Sequence, residues 1–261
     1  MQLNHHRVGS GPPLVLIHGI GSRWQVWEPV LDRVAAEREV VAIDMPGFGA
    51  SPPPAPGTPP GPESLTRLIG EFIAEVGLER PHVGGNSLGG RVALELAKLG
   101  QARSATVMSP QGFHNRAEGL FQYASLWTSR RTAQLAAPRA DRLLASAAGR
   151  RIAFAQVVAD PERVGPRDAA ESVRALADAT WYDETLPTIC SLPGFTGGEG
   201  IEVPVTIAWG DKDHLLLPRQ AGRAAREVPR ARMITLYGAG HVPTYDDPDR
   251  VAAVLLEGSE D

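Results

Sequence analysis

The chain of 261 residues has a single cysteine, Cys190, which excludes an internal disulfide and, with no Cys or His motif around it, reads as an inert thiol. No His-x-x-x-His or Cys-x-x-Cys spacing occurs, no Gly-x-Gly-x-x-Gly follows a strand, and no phosphate loop is present. No cofactor and no metal are therefore expected. Long apolar runs are also missing, so no segment is long enough to cross a membrane as a helix. The start, Met1 to Arg7, lacks the apolar stretch of a signal peptide, and a cytoplasmic location is the expectation. Charge excess is absent as well. A net charge of -4 argues against a nucleic-acid or an anionic-membrane surface and leaves a small molecule as the expected partner, with oligomeric state open. Lysine is nearly missing, at Lys98 and Lys212 only; arginine supplies the other cations, a coding bias with no functional reading.

What remains is an ordinary globular composition, 43% hydrophobic and 21% charged, with enough length to bury one substantial core and carry an insertion. Apolar runs at 13–17, 39–43, 81–84, 104–108, 203–209 and 231–236 predict buried strands. Helical periodicity fills the gaps near 24–36, 63–77, 88–99, 218–228 and 247–257. Such alternation predicts an α/β protein with a largely parallel sheet covered on both faces, and a ligand site at the carboxyl ends of its strands. Ser51 to Pro62 holds seven prolines and two glycines, which reads as a stiff surface loop. Residues 112–197 interrupt the alternation with Ala/Arg/Leu-rich helical patterns, among them Ala133 to Ala148 and Arg167 to Ala179.

Gly85-Asn86-Ser87-Leu88-Gly89 stands between a strand pattern and a helix pattern. A serine on so tight a turn is forced into a strained backbone, and its neighbours two positions either side must be small. The turn leaves the hydroxyl exposed near a helix N-terminus, whose amides favour negative charge. Downstream come Trp209-Gly210-Asp211-Lys212-Asp213 and Gly238-Ala239-Gly240-His241-Val242-Pro243. Upstream lie Leu14-Val15-Leu16-Ile17-His18-Gly19-Ile20-Gly21 and Asp44-Met45-Pro46-Gly47-Phe48-Gly49-Ala50-Ser51. In this order and spacing the five segments resemble the serine-nucleophile branch of the α/β-hydrolase fold.

The resemblance implies Ser87 as nucleophile, His241 as its base and Asp213 as the acid that orients the imidazole, with Asp211 forming a turn. It implies an oxyanion hole from the backbone N–H groups of Ile20 and Leu88. His18 is expected to be structural, as are Asp44, Gly47 and Gly49. His5, His6, His82, His114 and His214 are expected on the surface or in packing, the first two in a weakly structured start. Asp246 and Asp247 read as capping or salt-bridging residues and as the weaker candidate for the acid. The division expected is core 1–111, helical cap 112–197 and core 198–261, with Phe113, Phe121, Tyr123, Trp127, Trp181 and Tyr182 either lining a pocket or fastening the cap. Relatives usually have two strands before the His-Gly strand; here about twelve residues precede it, so the first is expected to be missing or very short.

Hydrolysis of a small or medium carboxylic ester through an acyl-enzyme is the function implied. Carbon–carbon bond hydrolysis of a diketone-like substrate is the alternative, although such relatives often carry Trp where Val242 stands. Thioester, lactone or amide cleavage stays open, as does a slow-turnover small-molecule receptor. Serine at the elbow, where epoxide hydrolases carry aspartate, argues against that branch.

Overall fold

The computed structural model describes residues 1–260. Its centre is a seven-stranded sheet of β1 (His5–Val8), β2 (Pro13–Ile17), β3 (Glu39–Ile43), β4 (His82–Asn86), β5 (Ser104–Met108), β6 (Val205–Gly210) and β7 (Arg232–Leu236). The strand order is β1-β3-β2-β4-β5-β6-β7, parallel throughout except for β1, which pairs antiparallel with β3. His5 and His6, expected in a loosely structured start, therefore lie in an edge strand. The residues before the His-Gly strand afford this one short strand and no second.

Side-chain alternation along the strands divides the core in two. Val15, Ile17, Val41 and Ile43 point into one apolar cluster, whereas Leu14, Leu16, Val40 and Ala42 point into the other. Helix α1 (Glu28–Ala35) belongs to the second side. Helices α2 (Pro62–Glu75) and α3 (Leu88–Lys98) cover the first. The prolines at 52, 53, 54, 56, 59 and 60 leave the segment before α2 without helix or strand, as expected.

Between β5 and β6 the chain leaves the sheet and forms five helices: α4 (Arg116–Ala136), α5 (Ala140–Leu144), α6 (Ala147–Phe154), α7 (Pro166–Asp178) and α8 (Tyr182–Cys190). Its exit and return meet where the Phe195 N–H donates to the Gly112 carbonyl at 2.9 Å. The helical pattern read from Ala133 to Ala148 is not one helix. Pro138 sits in a 3-10 turn after α4, and the Ser146 hydroxyl caps α6 by accepting from the Gly149 N–H at 3.1 Å. Both are break signals that outrank apolar periodicity. The insertion has a small apolar core of its own around Leu144, Phe154, Val158 and Val164. After it come α9 (Ala221–Glu227), then α10 (Pro243–Asp246) and α11 (Pro248–Glu257) beyond β7. No helix among the described residues is long and apolar enough to cross a membrane.

Candidate active site

The sheet order reverses direction between β2 and β4, and a crevice opens there at the strands' carboxyl ends. Ser87 sits at this point, between β4 and α3, with φ 57° and ψ -118°. A non-glycine residue at positive φ stores strain. Two neighbours make the turn possible. A Cβ on Gly85 would stand 2.3 Å from the Gly89 carbonyl oxygen, and one on Gly89 would stand 2.1 Å from that of Ile17. Neither position has room for a side chain. The strained residue is anchored by its own backbone: its N–H donates to the Met108 carbonyl at 3.0 Å, and its carbonyl accepts from the Arg91 and Gln111 N–H groups at 3.0 Å each.

His241 follows β7 and Asp213 follows β6. Both are buried, and His241 Nδ1 lies 2.8 Å from Asp213 Oδ2. A carboxylate only accepts, so Nδ1–H donates and Nε2 is left as an acceptor. The carboxylate is itself held. Its Oδ1 accepts from the N–H groups of Leu215 at 2.9 Å and Leu216 at 2.8 Å. Asp211, two positions earlier, instead accepts from the Gly238 N–H at 2.6 Å and ties the end of β6 to the turn after β7. Ser87 and His241 line one cavity of about 320 Å³, together with Gly19, Ile20 and Gly21.

The Leu88 N–H opens α3 and is among the four donors that a helix start leaves without an internal partner. Ile20 donates to no backbone carbonyl outside helices and strands among the described residues, whereas the neighbouring Ser22 N–H closes a turn on the Gly19 carbonyl. The loop bearing Ile20 lies against the serine, since a Cβ on Gly19 would be 3.2 Å from Ser87 Cβ. Burial lowers the pKa of His18, and its bonds suit a neutral ring: Nε2 accepts from the Met45 N–H at 3.0 Å while Nδ1 faces the Gly19 carbonyl at 2.7 Å. Asp44 braces the same loop, accepting from the Trp24 N–H at 2.7 Å and the Ala50 N–H at 2.9 Å.

Two further residues brace the site: Asn86, beside the nucleophile candidate, and Asp246, which was read from sequence as capping or salt-bridging and instead joins loops. Asn86 donates from Nδ2 to the carbonyls of His241 at 2.8 Å and Met108 at 3.1 Å, fastening the histidine loop to the elbow. Asp246 accepts from the Gly240 N–H at 2.8 Å, and from Ala159 and Asp160 N–H groups of the insertion at 3.0 and 2.9 Å. Asp247 caps α11 through the Arg250 N–H at 3.0 Å.

The insertion contributes Leu126, Phe154, Val157 and Leu176 to the lining of the cavity. Of the six aromatics considered from sequence, Tyr182 alone lines it, its hydroxyl donating to the Leu126 carbonyl at 3.0 Å. Phe113 packs against Phe195 and Trp209, Trp181 is buried in the core, and Phe121, Tyr123 and Trp127 are exposed. Phe154 and Tyr245 are the aromatic lining that sequence reading missed.

A family model described as the alpha/beta hydrolase family matches residues 14–254. The chain is 30% identical over 196 residues to the epoxide hydrolase EphH of Mycobacterium tuberculosis, covering 72% of this chain and 90% of that one. It is 36% identical over 100 residues to a 2-hydroxy-6-oxo-2,4-heptadienoate hydrolase of Pseudomonas putida, 37% of this chain and 36% of that one. A thermophilic esterase from Thermogutta terrifontis superposes with a TM-score of 0.75 at 20% identity, over 98% of this chain and 92% of the esterase. The chain is a member of the alpha/beta hydrolase family of hydrolases.

Proposed function

We propose that the protein hydrolyses a neutral carboxylic ester of small or medium size through an acyl-enzyme on Ser87. A serine hydroxyl is a weak nucleophile at neutral pH and needs a base as it attacks. His241 has its Nδ1–H committed to Asp213 and its Nε2 left as the acceptor, in the cavity that Ser87 lines. That juxtaposition, on a backbone strained to φ 57°, carries the reading. Attack produces a tetrahedral oxyanion between the Leu88 and Ile20 amides; His241 then returns its proton to the departing alcohol, and water repeats the sequence on the acyl-enzyme. The insertion at 112–197 serves as the cap that roofs this cavity. No step calls on a metal or an organic cofactor.

The lining favours a neutral substrate. Its one cation among the described residues is Arg23, whose guanidinium is held by Glu171 at 2.6 Å, with Asp168 3.7 Å away. A dienoate such as the Pseudomonas putida enzyme's name specifies would bring a carboxylate with no free cation to receive it. Hydrolysis of aryl esters of graded acyl length, in wild type and Ser87→Ala, tests the reading. Turnover that Ser87→Ala abolishes supports it. A folded wild type that is silent on every ester overturns it in favour of carbon–carbon cleavage, and a single stoichiometric burst in favour of a receptor.

A further inference from the structure

Helix α4 faces the wrong way for a soluble helix. Leu120, Ala124, Trp127, Arg131 and Leu135 recur at i, i+4, i+7, i+11 and i+15, which places them along one stripe, and all five are exposed. Leu135 is 79% exposed, Leu120 66% and Trp127 45%. Soluble monomers rarely present so much apolar surface without a partner for it. The helix's one carboxylate, Glu118, is buried against Arg219 and Arg223, so no acid of α4 breaks the outward face.

Charge says what the partner is. Residues 116–152 contain seven arginines and two acids, a net of +5, in a chain whose net charge is -4. The rest of the molecule therefore carries -9, so the whole-chain value that argued against an anionic surface averages over a basic segment of 37 residues and an acidic remainder. Within that segment Arg130, Arg131 and Arg151 meet Asp183 and Glu162 from outside it. Arg116, Arg139 and Arg142 are exposed and have no carboxylate within ion-pair distance among the described residues. Tyr123, Leu143 and Ile152 add exposed apolar surface on the same helices. Trp and Leu among free arginines on helix faces is the chemistry of a surface that seats in an anionic lipid interface. A second copy docked symmetrically would set these arginines against each other.

The cavity reaches this surface at Ile152 of α6, which is 84% exposed and lines it; Leu126 and Ser129 line the cavity from the side of α4 turned away from the stripe. The Ser125 hydroxyl reaches Gln156 at 2.6 Å, tying α4 to the chain just beyond α6. We infer that the outward face of α4 to α6 docks on an anionic phospholipid surface, so that the cavity receives an acyl ester dissolved in that membrane. The substrate class rests on the hydrolytic reading above; the docking does not.

Sedimentation with vesicles of phosphatidylglycerol and phosphatidylcholine tests the docking separately from catalysis. Wild-type protein is expected to bind them, to bind pure phosphatidylcholine weakly, and to detach at about 0.5 M salt, where the screening length is a few ångströms. Arg116→Glu/Arg142→Glu is expected to lower vesicle affinity at least about tenfold, and Leu120→Ser/Trp127→Ser to do the same. Both should keep wild-type melting and wild-type hydrolysis of a water-soluble aryl ester, because none of the four residues touches the cavity. Wild type failing to bind the anionic vesicles overturns the inference, as does a dimer in vesicle-free buffer that Leu120→Ser/Trp127→Ser dissolves. Vesicle binding without any esterase activity would sustain the docking and remove only the substrate class.

Discussion

Both carboxylate oxygens of Asp213 accept from N–H donors, so an amide in its place must turn its own NH₂ toward one of them. Asp213→Asn is therefore expected to lower kcat about 10³- to 10⁴-fold. Asp211→Asn keeps an oxygen for the Gly238 N–H and should stay within a few-fold of wild type. Steady-state kinetics on one aryl ester decide the matter, and the reverse ranking would transfer the acid role to Asp211. Ser87→Ala and His241→Ala are each expected to cost several orders of magnitude in kcat with melting temperature preserved; near-wild-type rates in either would remove the nucleophile–base pairing. Cys190 offers a simple control. Burial pushes its thiol up to about 12, so at pH 8 it stays protonated and iodoacetamide should neither label the folded protein rapidly nor inhibit it. The placement of the candidates Ser87, Asp213 and His241 at one end of the sheet was legible because each stands in a loop whose glycines and position after a strand are written locally. Asn86 was not. Its neighbours on the chain say nothing of the His241 carbonyl, 155 residues away, that it holds.

Elements show the same division. The core strands and helices matched their periodicities closely, since burial on both faces leaves an unbroken apolar run and one-sided burial leaves a 3.6-residue stripe. The insertion was harder. Its Ala/Arg-rich helices have the right period, but Pro138 and Ser146 divide what alanine propensity would join. Nor does periodicity say which neighbour an aromatic meets, and for that reason Trp127 of α4 could be weighed as pocket lining although it faces solvent. Helix α4 is fixed to the core at its first turn. Glu118 completes a capping box with Asn115 and receives the guanidinium groups of Arg219, at 2.6 Å, and Arg223. Burial alone would raise its pKa; the hydrogen bonds from Arg223, the Asn115 N–H and Arg219 outweigh it and hold the carboxyl at about 2, against an ordinary 4.5. A carboxyl depressed in the folded state stabilises the protein fully above pH 4.5 and loses that contribution as pH falls toward 2. The amount is on the order of 3 kcal/mol. Glu118→Gln should lower the melting temperature at pH 7 and flatten its dependence between pH 4.5 and 2; parallel wild-type and variant curves across that window would show that the pair contributes nothing.

At the scale of the whole molecule, the insertion packs in two places. Trp181, Tyr182, Leu186 and Ile189 join the main core, while Leu144, Phe154, Val158 and Val164 form a small cluster of their own, and residues near both line the cavity. The seam between insertion and core crosses the histidine loop: the Val242 N–H donates to the Val157 carbonyl at 2.7 Å, and Arg163 reaches the Asp246 carbonyl at 2.7 Å. Asp246 is the centre of that seam. Its Oδ2 accepts from Gly240, beside His241, and from Ala159 of the insertion, while Oδ1 accepts from Asp160. One carboxylate thus ties the loop of His241 to the insertion. Asp246→Ala leaves three N–H groups without their acceptor, a loss of about 2–4 kcal/mol. For a chain of this size that corresponds to a melting temperature lower by about 5–15 °C. Because the histidine loop and the insertion both loosen, kcat should fall and KM should rise. Asp246→Asn keeps one oxygen, enough for the two donors that Oδ2 serves, and should recover part of both losses. If Asp246→Ala melts within about 1 °C of wild type and hydrolyses a short aryl ester at the wild-type rate, the seam is not what positions His241. Recovery of stability by asparagine without recovery of kcat would show instead that the insertion depends on this residue and the base does not.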